Sequence, residues 1–528
     1  MAVPDTSAVV SSLLAASRWW SGSTITYSAP GAGSTWPTYA AGEEPSVAGY
    51  GVLNASQVQQ FRTAIDAWDK VVAVNFMQTD DVASPGQIRV AFTDVDALSD
   101  GDENLWGYAY YPPGYGGAGS AISGDIWIDQ SHITSDFAQG DNDFSSLVHE
   151  IGHAIGLKHP FEDGAVLPTA YDNSRYTVMA YTDATDSLHW QIEATATGVR
   201  IVPTRVAPET PMVFDVLAAQ NRYGADPTTA AGNTTYAWDE NRPFFQTVYD
   251  AGGVDTFDLS NHSRGSIIDL SPGAYSSIAQ FSAQAQIAQM LVRFPWAADF
   301  FNEHIQTPET YTWSNNLGVA YNTVIENVVG GPGADTILGN AAANEIRGGD
   351  GASYLRGFDG NDRLWGGAAF DDLHGNVGAD SLWGAGGDDW VVGGKDDDQL
   401  HGEAGGDIVY GNIGHDTGYG DDGDDLIRGG QNNDVLYGGA GDDWMSGDKG
   451  DDTLTGGAGA DIFNTFGDAG LDRVLDFSSA QGDRVRFDPG TVWEVGFAGS
   501  DTVINMVGGA QMVLVGVTAA TPGDWLIA

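Results

Sequence analysis

The chain has 528 residues, a length typical of about three domains. It carries 72 Asp and Glu residues against 21 Lys and Arg residues, and the resulting net charge of −51 excludes general electrostatic binding to nucleic acid or to an anionic membrane. The absence of cysteine excludes disulfide bonds, thiolate nucleophiles and cysteine-ligated zinc. No apolar run reaches the roughly 18 residues that a membrane-spanning helix needs, so we predict no transmembrane segment.

The first predicted elements are an N-terminal segment and an amphipathic helix. Residues 1–19 contain an apolar stretch, but no basic residue precedes Arg18. This segment is therefore a poor match to a Sec-type signal peptide, and we predict a short propeptide there. Apolar residues recur at helical spacing within residues 57–74 and predict a helix. Its apolar face consists of Val58, Phe61, Ile65, Trp68 and Val72.

Two stretches before residue 130 have the composition of β structure. Residues 106–113 are rich in Trp and Tyr, which favours core or rim aromatic residues over a carbohydrate-stacking surface. Residues 123–129 alternate between polar and apolar side chains and predict a strand. This strand is either an ordinary member of a sheet or an edge strand that pairs with an extended peptide, and the sequence leaves both open.

Three of the ten histidines fall within the pattern H-E-x-x-H-x-x-G-x-x-H, which resembles that of the metzincin zinc proteases. His149 and His153 are one helical turn apart, and Gly156 permits the sharp turn that returns His159 to the same ion. Three neutral imidazoles leave a fourth position for water, as in a catalytic zinc site. Glu150 is adjacent to a ligand without being one, and we predict that it is the general base that takes the proton from a zinc-activated water.

The first two of these histidines are predicted to lie on a helix over residues 143–156, with Asn142 or Asp143 as the N-cap. The competing interpretation is a core helix whose histidines are hydrogen-bonded internally. Two histidines at helical spacing and a third beyond a glycine favour the metal site over that interpretation.

Residues 176–181, Tyr-Thr-Val-Met-Ala-Tyr, follow the zinc pattern, and Met179 resembles the Met-turn that lies beneath the metzincin zinc. Tyr181 resembles the tyrosine of astacins and serralysins that approaches the zinc and stabilises the oxyanion. This resemblance implies a catalytic role for Tyr181 and a place as a fourth zinc ligand. Pro160 follows the third histidine as in serralysins, where astacins have Glu. A further helix is predicted from Pro211 to Gln220.

Fifteen nonapeptides follow one another in register from Gly330 to Asn464. Gly occupies the first position throughout, Asp the sixth in all but two, and an apolar residue the eighth in all but one. A flexible linker has no reason to keep an apolar residue at this spacing, whereas the calcium-binding RTX repeat has this pattern. Glycine carbonyls and aspartate carboxylates are oxygen ligands suited to Ca²⁺. The predicted calcium ligands are Asp335, Asp362, Asp380, Asp389, Asp425, Asp443, Asp452 and Asp461.

Not all turns of the array are expected to bind calcium equally. Strong sites are predicted from about Gly420 to Asp461, and weaker sites are predicted within residues 339–356, where Ser353 replaces an aspartate. Gly418 removes one inward apolar side chain and is expected to weaken its coil. The apolar residues at the eighth position are predicted to stack into a single inward column.

Over nearly its whole length the chain resembles the serralysins, secreted zinc endopeptidases of Gram-negative bacteria. Tyr249–Ser260, Ile325–Gly331 and Asp472–Phe477 carry this resemblance alongside the zinc and repeat motifs. It implies an α+β architecture in which a metzincin catalytic domain precedes a parallel β-roll with β-rich flanks. The predicted boundaries are 20–235 for the protease domain, 236–329 for a β-rich connection with a helical insert at 281–315, 330–464 for the roll, and 465–528 for a β-rich cap with a type I secretion signal.

The resemblance also implies cofactors and partners. We expect one zinc ion, several calcium ions, a protein or peptide substrate, the type I secretion machinery and a monomeric, extracellular protein. The terminal Asp524–Ala528 is similar to the end of the family's uncleaved secretion signal. Fifteen nonapeptides exceed the family's usual number, which suggests a cell-surface partner for the longer roll.

Two functions from different classes compete. The leading hypothesis is a secreted, calcium-stabilised zinc endopeptidase that acts on extracellular or cell-surface proteins. The alternative is a calcium-binding surface-layer or adhesion protein whose protease domain is vestigial. The complete set of zinc-site residues argues for the enzyme, because decay of an active site usually removes one of them.

Overall fold

The computed structural model describes residues 4–31, 33–36, 39, 50–95, 105–113, 122–162, 164–195, 198–518 and 525–527. The chain forms two compact units that alternate along the sequence. No helix within the described ranges is both long and apolar enough to cross a membrane. The first unit comprises Met1–Gly232, Asn241–Gly253 and Pro272–Thr323, and the second comprises Asn233–Glu240, Val254–Ser271 and Val324–Ala528.

The first unit contains a five-stranded sheet with the strand order β2-β1-β3-β5-β4. All neighbouring strands are parallel except β4, which runs antiparallel to β5. The strands are β1 (Thr24–Ser28), β2 (Asn75–Gln78), β3 (Ile88–Thr93), β4 (Gly107–Ala109) and β5 (Asp125–Asp129). The strand expected over residues 123–129 is β5, and its interpretation as an edge strand is wrong because β4 covers it. The edge strand on this side of the sheet is β4, which lies within the Trp- and Tyr-rich stretch of residues 106–113.

Four helices pack in the core of this unit: α1 (Thr6–Leu13), α2 (Ala55–Asp69), α3 (Asn142–Ala154) and α4 (Val213–Tyr223). Helix α2 begins with a capping box between Asn54 and Gln57 and ends before the predicted residue 74, since Val72 pairs with Ala225 instead. Helix α3 has Asp141 at its N-cap, one residue earlier than expected, without a side-chain capping bond. Its apolar face is fully buried, which fixes the histidine-bearing face toward the cleft.

Helix α1 lies within the segment predicted as a propeptide. It buries Val9 and Leu13 completely in the core of the first unit. The backbone N–H of Lys158 donates to the carbonyl of Leu13, and the N–H of Ala15 donates to that of Gly156. This segment therefore stabilises, through two backbone hydrogen bonds, the stretch of chain that joins α3 to His159.

A β-hairpin and two helices form a separate small cluster in the first unit. The hairpin consists of β6 (Leu188–Thr195) and β7 (Gly198–Arg205). Helices α5 (Ala283–Arg293) and α6 (Ala298–Ile305) lie within the predicted insert and pack on it. A 3₁₀ turn over Pro295–Ala297 joins these two helices. The strands Gln246–Val248, Tyr275–Ser276 and Leu317–Val319 form a further three-stranded sheet.

The second unit is a β-roll built from two sheets. Each strand of the repeat region pairs in parallel with the strand 18 residues away, so successive nonapeptides alternate between the sheets. The apolar residues at the eighth position are buried and form two inward columns. The prediction of a single column is therefore wrong, because one coil takes two nonapeptides.

Strands that precede and follow the repeats extend both sheets. The 11-stranded sheet contains, in spatial order, Ile267–Asp269, Thr336–Leu338, Tyr354–Asp359, Asp372–Val377, Trp390–Lys395, Ile408–Ile413, Leu426–Gln431, Trp444–Lys449, Ile462–Thr465, Arg484–Phe487 and Leu526–Ile527. The 14-stranded sheet contains Thr235–Ala237, Thr256–Asp258, Asn327–Val329, Glu345–Arg347, Arg363–Gly367, Ser381–Gly386, Gln399–Ala404, Thr417–Asp422, Val435–Ala440, Thr453–Ala458, Leu471–Val474, Gln511–Leu514, Asp501–Met506 and Trp493–Ala498.

The expected defect at Gly418 is largely filled by its neighbours. A methyl group added there would lie 3.2 Å from Leu436 Cδ2, and Ile427 and Val409 lie at 3.5 Å. Side chains of adjacent coils therefore occupy the space that the missing side chain would leave.

Candidate metal centre and cleft

The three histidines of the zinc pattern converge on one point. Helix α3 places His149 and His153 on the same face, and Gly156, with φ of +105°, turns the chain so that His159 returns. The Nε2 atom of His159 lies 3.2 Å from that of His149 and 3.0 Å from that of His153. Three nitrogens at these separations match ligands placed about 2.0–2.1 Å from one zinc ion.

The other ring nitrogen of each histidine is held by an oxygen. Nδ1 of His149 lies 2.7 Å from the carbonyl of Val178, and Nδ1 of His153 lies 2.8 Å from that of Leu157. Nδ1 of His159 lies 2.5 Å from Glu162 Oε1. These contacts assign a proton to every Nδ1 and leave every Nε2 as a lone pair. Three facing lone pairs repel one another unless a cation lies between them, so the residues fit a metal ion.

Burial favours the neutral form that a metal ligand needs. It lowers the pKa of His149 to about 4 and that of His153 well below the ordinary value. The pKa of His159 is lowered for the same reason, although Glu162 opposes the shift. The three imidazoles are therefore available as neutral ligands around neutral pH.

Glu150 lies beside this point and faces the same cleft. Its Oε2 is buried and has no hydrogen-bond partner among the described residues. Burial alone raises the pKa of Glu150 to about 8. A divalent cation nearby would favour the carboxylate, so the group can change protonation state close to neutral pH.

Met179 and Tyr181 both lie next to elements that carry the histidines. Met179 is fully buried against α3, where a methyl group added to Gly152 would lie only 2.6 Å from its sulfur. The ring centroid of Tyr181 lies 4.3 Å from that of His159, and the residue is 64% exposed. Met179 thus packs against α3, while Tyr181 is largely exposed to solvent beside the histidines.

A cleft of about 350 Å³ opens above Glu150. Its walls include the start of β4, the N-terminal half of α3 and the segments on either side of the β6–β7 hairpin. Trp106 forms part of the β4 wall, and its indole N–H donates to Asp143 over 2.8 Å. The lining residues are Leu105, Trp106, Gly107, Asn142, Ser145, Ser146, His149, Glu150, Ser174, Val178, Ala180, Tyr181, Asp183, Ala207 and Pro208.

The repeat aspartates form a second kind of cation-binding arrangement. In most turns, Oδ1 accepts the N–H of the residue 18 positions earlier, as Asp380 does from Asp362 over 2.8 Å. Oδ2 is buried and has no hydrogen-bond partner in the described part of the chain, which fits a role as a calcium ligand. Among the predicted calcium ligands, the unpartnered Oδ2 is found in Asp362, Asp380, Asp389, Asp425, Asp443, Asp452 and Asp461. It is also found in Asp371, Asp398, Asp407, Asp416 and Asp434, which were not among the predicted ligands.

Three turns at the start of the roll differ. Asp335 accepts N–H groups from Ser266 and Gly331 with its two oxygens. The side-chain amide of Asn344 donates to the carbonyl of Glu326, and the hydroxyl of Ser353 donates to that of Gly351. Ser353 thus satisfies a carbonyl of its own turn, and Asn344 satisfies one that precedes the first repeat. The weaker calcium sites within residues 339–356 stay a prediction.

Three family models match the chain. The matrixin model of the M10 peptidases matches residues 44–188, and the M10 serralysin C-terminal model matches residues 215–293. The RTX calcium-binding nonapeptide model matches five segments between residues 325 and 473. Over these three regions the chain is similar to serralysin-type M10 peptidases.

Similar proteins include known serralysins. Metallopeptidase AprA of Pseudomonas marginalis is 28% identical over 328 residues, which is 57% of each chain. Serralysin G of Dickeya chrysanthemi is 29% identical over 323 residues, and serralysin of Proteus mirabilis is 28% identical over 321 residues, each match covering 56% of both chains. The chain thus spans a little over half the length of these relatives.

Two residues that support the metal centre carry little signal in the sequence. Glu162 orients His159, as described above. Asp215 is fully buried at the start of α4 and accepts N–H groups from Val178 over 2.7 Å and Met212 over 2.9 Å. Since the carbonyl of Val178 in turn holds His149, Asp215 positions a metal ligand through the backbone of a single residue. The only sequence signal was an acidic residue inside the first turn of an apolar helix.

Replacing Asp215 by Asn is expected to lower zinc affinity about 10- to 100-fold, the usual effect of losing an outer-sphere partner. The N–H groups of Val178 and Met212 both donate to Oδ2 of Asp215, and the hydroxyl of Thr177 donates to Oδ1. An amide has one acceptor oxygen, so in the variant its NH₂ group must face either the two N–H donors or the Thr177 hydroxyl. Competition with a chromophoric chelator measures the affinity. Asp226→Asn changes a surface aspartate of the same unit and is the control; equal affinities in the two variants would contradict this role.

Proposed function

We propose that this chain is a zinc endopeptidase, stabilised by calcium, that hydrolyses peptide bonds of extracellular or cell-surface proteins. The observation that carries the proposal is the convergence of three neutral imidazoles beside a buried carboxylate in an open cleft. The similarity to serralysins supports the same conclusion. The test is zinc-dependent cleavage of casein and its loss in the Glu150 variant described in the Discussion.

The zinc ligands in this proposal are His149, His153 and His159. Zinc bound there would act as a Lewis acid and lower the pKa of a water molecule. Glu150 accepts the proton of the attacking water at its unpaired Oε2 and then donates it to the nitrogen of the leaving amine. This role suits a carboxyl group whose pKa is raised by burial.

Strand β4 is the proposed binding edge for the substrate backbone. It lies at the end of the sheet, and Gly107 lines the cleft beside Glu150. A peptide added to this edge would be held by main-chain hydrogen bonds, which accept many sequences. Trp106, fixed by Asp143, would contact its side chains.

Tyr181 is proposed to donate a hydrogen bond to the oxyanion of the transition state. Replacing Tyr181 by Phe is then expected to lower kcat by about 10²-fold while KM changes little, because the bond forms mainly in the transition state. Steady-state kinetics on a peptide substrate measure both constants. An effect confined to KM would assign Tyr181 to substrate binding, and unchanged zinc content separates both roles from metal binding.

We further propose export by a type I secretion system from a Gram-negative bacterium. The support is the similarity to serralysins together with the calcium-binding repeats, which would stay unfolded where free calcium is scarce. The longer roll is proposed to contact a partner at the cell surface, with the enzyme itself a monomer. The terminal residues Asp524 and Ala528 lie outside the described residues.

A further inference from the structure

The hairpin and the two helices of the insert form a small body with its own apolar core. Ile287, Ala297, Phe301 and Ile305 are buried, and Trp190 of β6 packs against them. Other hairpin and helix side chains that pack on this core are Ile192, Ile201, Ala283, Met290, Leu291 and Phe294. Residues far apart in sequence thus build one addition to the first unit.

This body exposes three apolar side chains, one in α5, one in the 3₁₀ turn and one in α6, which we call the row. Val292, Trp296 and Phe300 follow at intervals of four residues and are 87%, 67% and 36% exposed. Only two charged residues, Arg293 and Asp299, occur between residues 281 and 302. In a chain with a net charge of −51, this is a neutral, apolar surface of the kind that marks an interaction site.

The same body is continuous with the cleft. Asp183, Ala207 and Pro208 line the cleft and flank the hairpin in sequence. The far end of the hairpin reaches the row, since a methyl group on Gly198 would lie 3.9 Å from the ring of Trp296. Eight residues per strand correspond to about 26 Å at roughly 3.3 Å per residue, a span that an extended peptide of about eight residues also covers.

We propose that Val292, Trp296 and Phe300 form an exosite that binds an apolar segment of a protein substrate about eight residues from the bond to be cleaved. The inference rests on the proposed protease function. An apolar polypeptide segment fits the row because it needs no charge complementarity. The strong negative charge of the chain disfavours an anionic membrane as the occupant.

The first experiment compares two substrates that differ in length. In the double variant Val292→Ser, Trp296→Ala, kcat/KM for casein is expected to fall about tenfold, a loss typical of removing an aromatic anchor. For a six-residue peptide, which is too short to reach the row, kcat/KM is expected to stay at the wild-type value. The control is Val82→Ser, an exposed valine of the same unit at 62% exposure.

A second measurement does not depend on turnover. Fluorescently labelled, denatured casein should bind Glu150→Gln protein about tenfold more tightly than Glu150→Gln protein that also carries the double change. Equal binding, or an equal loss of cleavage for both substrates, would overturn the exosite. If wild-type protein binds zwitterionic vesicles and the double variant does not, the row binds lipid instead. If wild-type protein dimerises and the double variant does not, the row contacts a second copy of the chain instead. If wild-type protein cleaves neither substrate, the protease proposal fails, and the binding measurement still decides the exosite.

Discussion

Replacing Glu150 by Gln is expected to leave zinc bound and to lower the cleavage rate by 10²- to 10⁴-fold, the usual contribution of a general base. Gln has nearly the same shape and cannot accept a proton at neutral pH. The three histidines keep their hydrogen bonds to Val178, Leu157 and Glu162, so the metal site should persist. Zinc content by elemental analysis and casein hydrolysis measure the two effects.

A matched substitution far from the cleft controls for general effects. Glu345→Gln removes an exposed carboxylate of the roll and should retain full activity. Wild-type protein treated with a zinc chelator should match the Glu150 variant and recover when zinc is restored. More than about a tenth of wild-type activity in the Glu150 variant would contradict general-base catalysis.

The second large effect concerns calcium. Removing calcium is expected to unfold most of the roll, because buried carboxylates with unpaired Oδ2 atoms repel one another without cations. Circular dichroism at increasing calcium should show β structure returning at about 10⁻⁴–10⁻³ M, the range of extracellular calcium modules. The Glu150→Gln protein prevents self-cleavage during the titration. A full β signal in excess chelator would contradict this expectation and show that burial of the two apolar columns is enough to fold the roll without calcium.

The whole chain must be used in this measurement. The strands Thr235–Ala237, Thr256–Asp258 and Ile267–Asp269 begin the two sheets of the roll, yet they precede the first repeat. A fragment that starts at residue 330 would lack them. Unfolding of such a fragment would therefore report missing strands as well as missing calcium.

Protonation of the buried aspartates at lower pH is expected to stabilise the roll partly in the absence of calcium. Burial raises the pKa of Asp398 and Asp434 to about 8, and that of Asp362 to about 7, from an ordinary value of 3.8. A carboxyl group with a higher pKa in the folded chain stabilises that chain fully below the ordinary pKa, and the contribution is lost as the pH rises through the folded pKa. In chelator, the β signal should thus increase when the pH falls from 8 to 5; no change would contradict the shifts.

The metal site could be predicted from sequence because its ligands are local. His149, His153 and His159 lie within eleven residues, where helix geometry and one glycine determine their relative positions. The roll was predictable for a similar reason, since each coil repeats the same few residues. Short-range periodicity carries enough information for both.

Features that depend on distant segments could not be predicted. The alternation of polar and apolar residues identifies β5 as a strand, but only the pairing with β4 shows that it is internal. Asp215 supports His149 across 66 positions of sequence, through the N–H and the carbonyl of Val178, a link that no sequence pattern specifies. Similarly, the helical insert could be recognised, whereas its packing on Trp190 could not.

The pairing of strands 18 residues apart constrains how the roll can change in length. Loss of a single nonapeptide would transfer every later strand to the opposite sheet, and the C-terminal strands, which differ between the sheets, would meet the wrong partners. Loss of two adjacent nonapeptides would remove one complete coil and leave each remaining strand in its own sheet. Insertions and deletions that preserve the cap should therefore occur in multiples of 18 residues, so the array can lengthen only by whole coils.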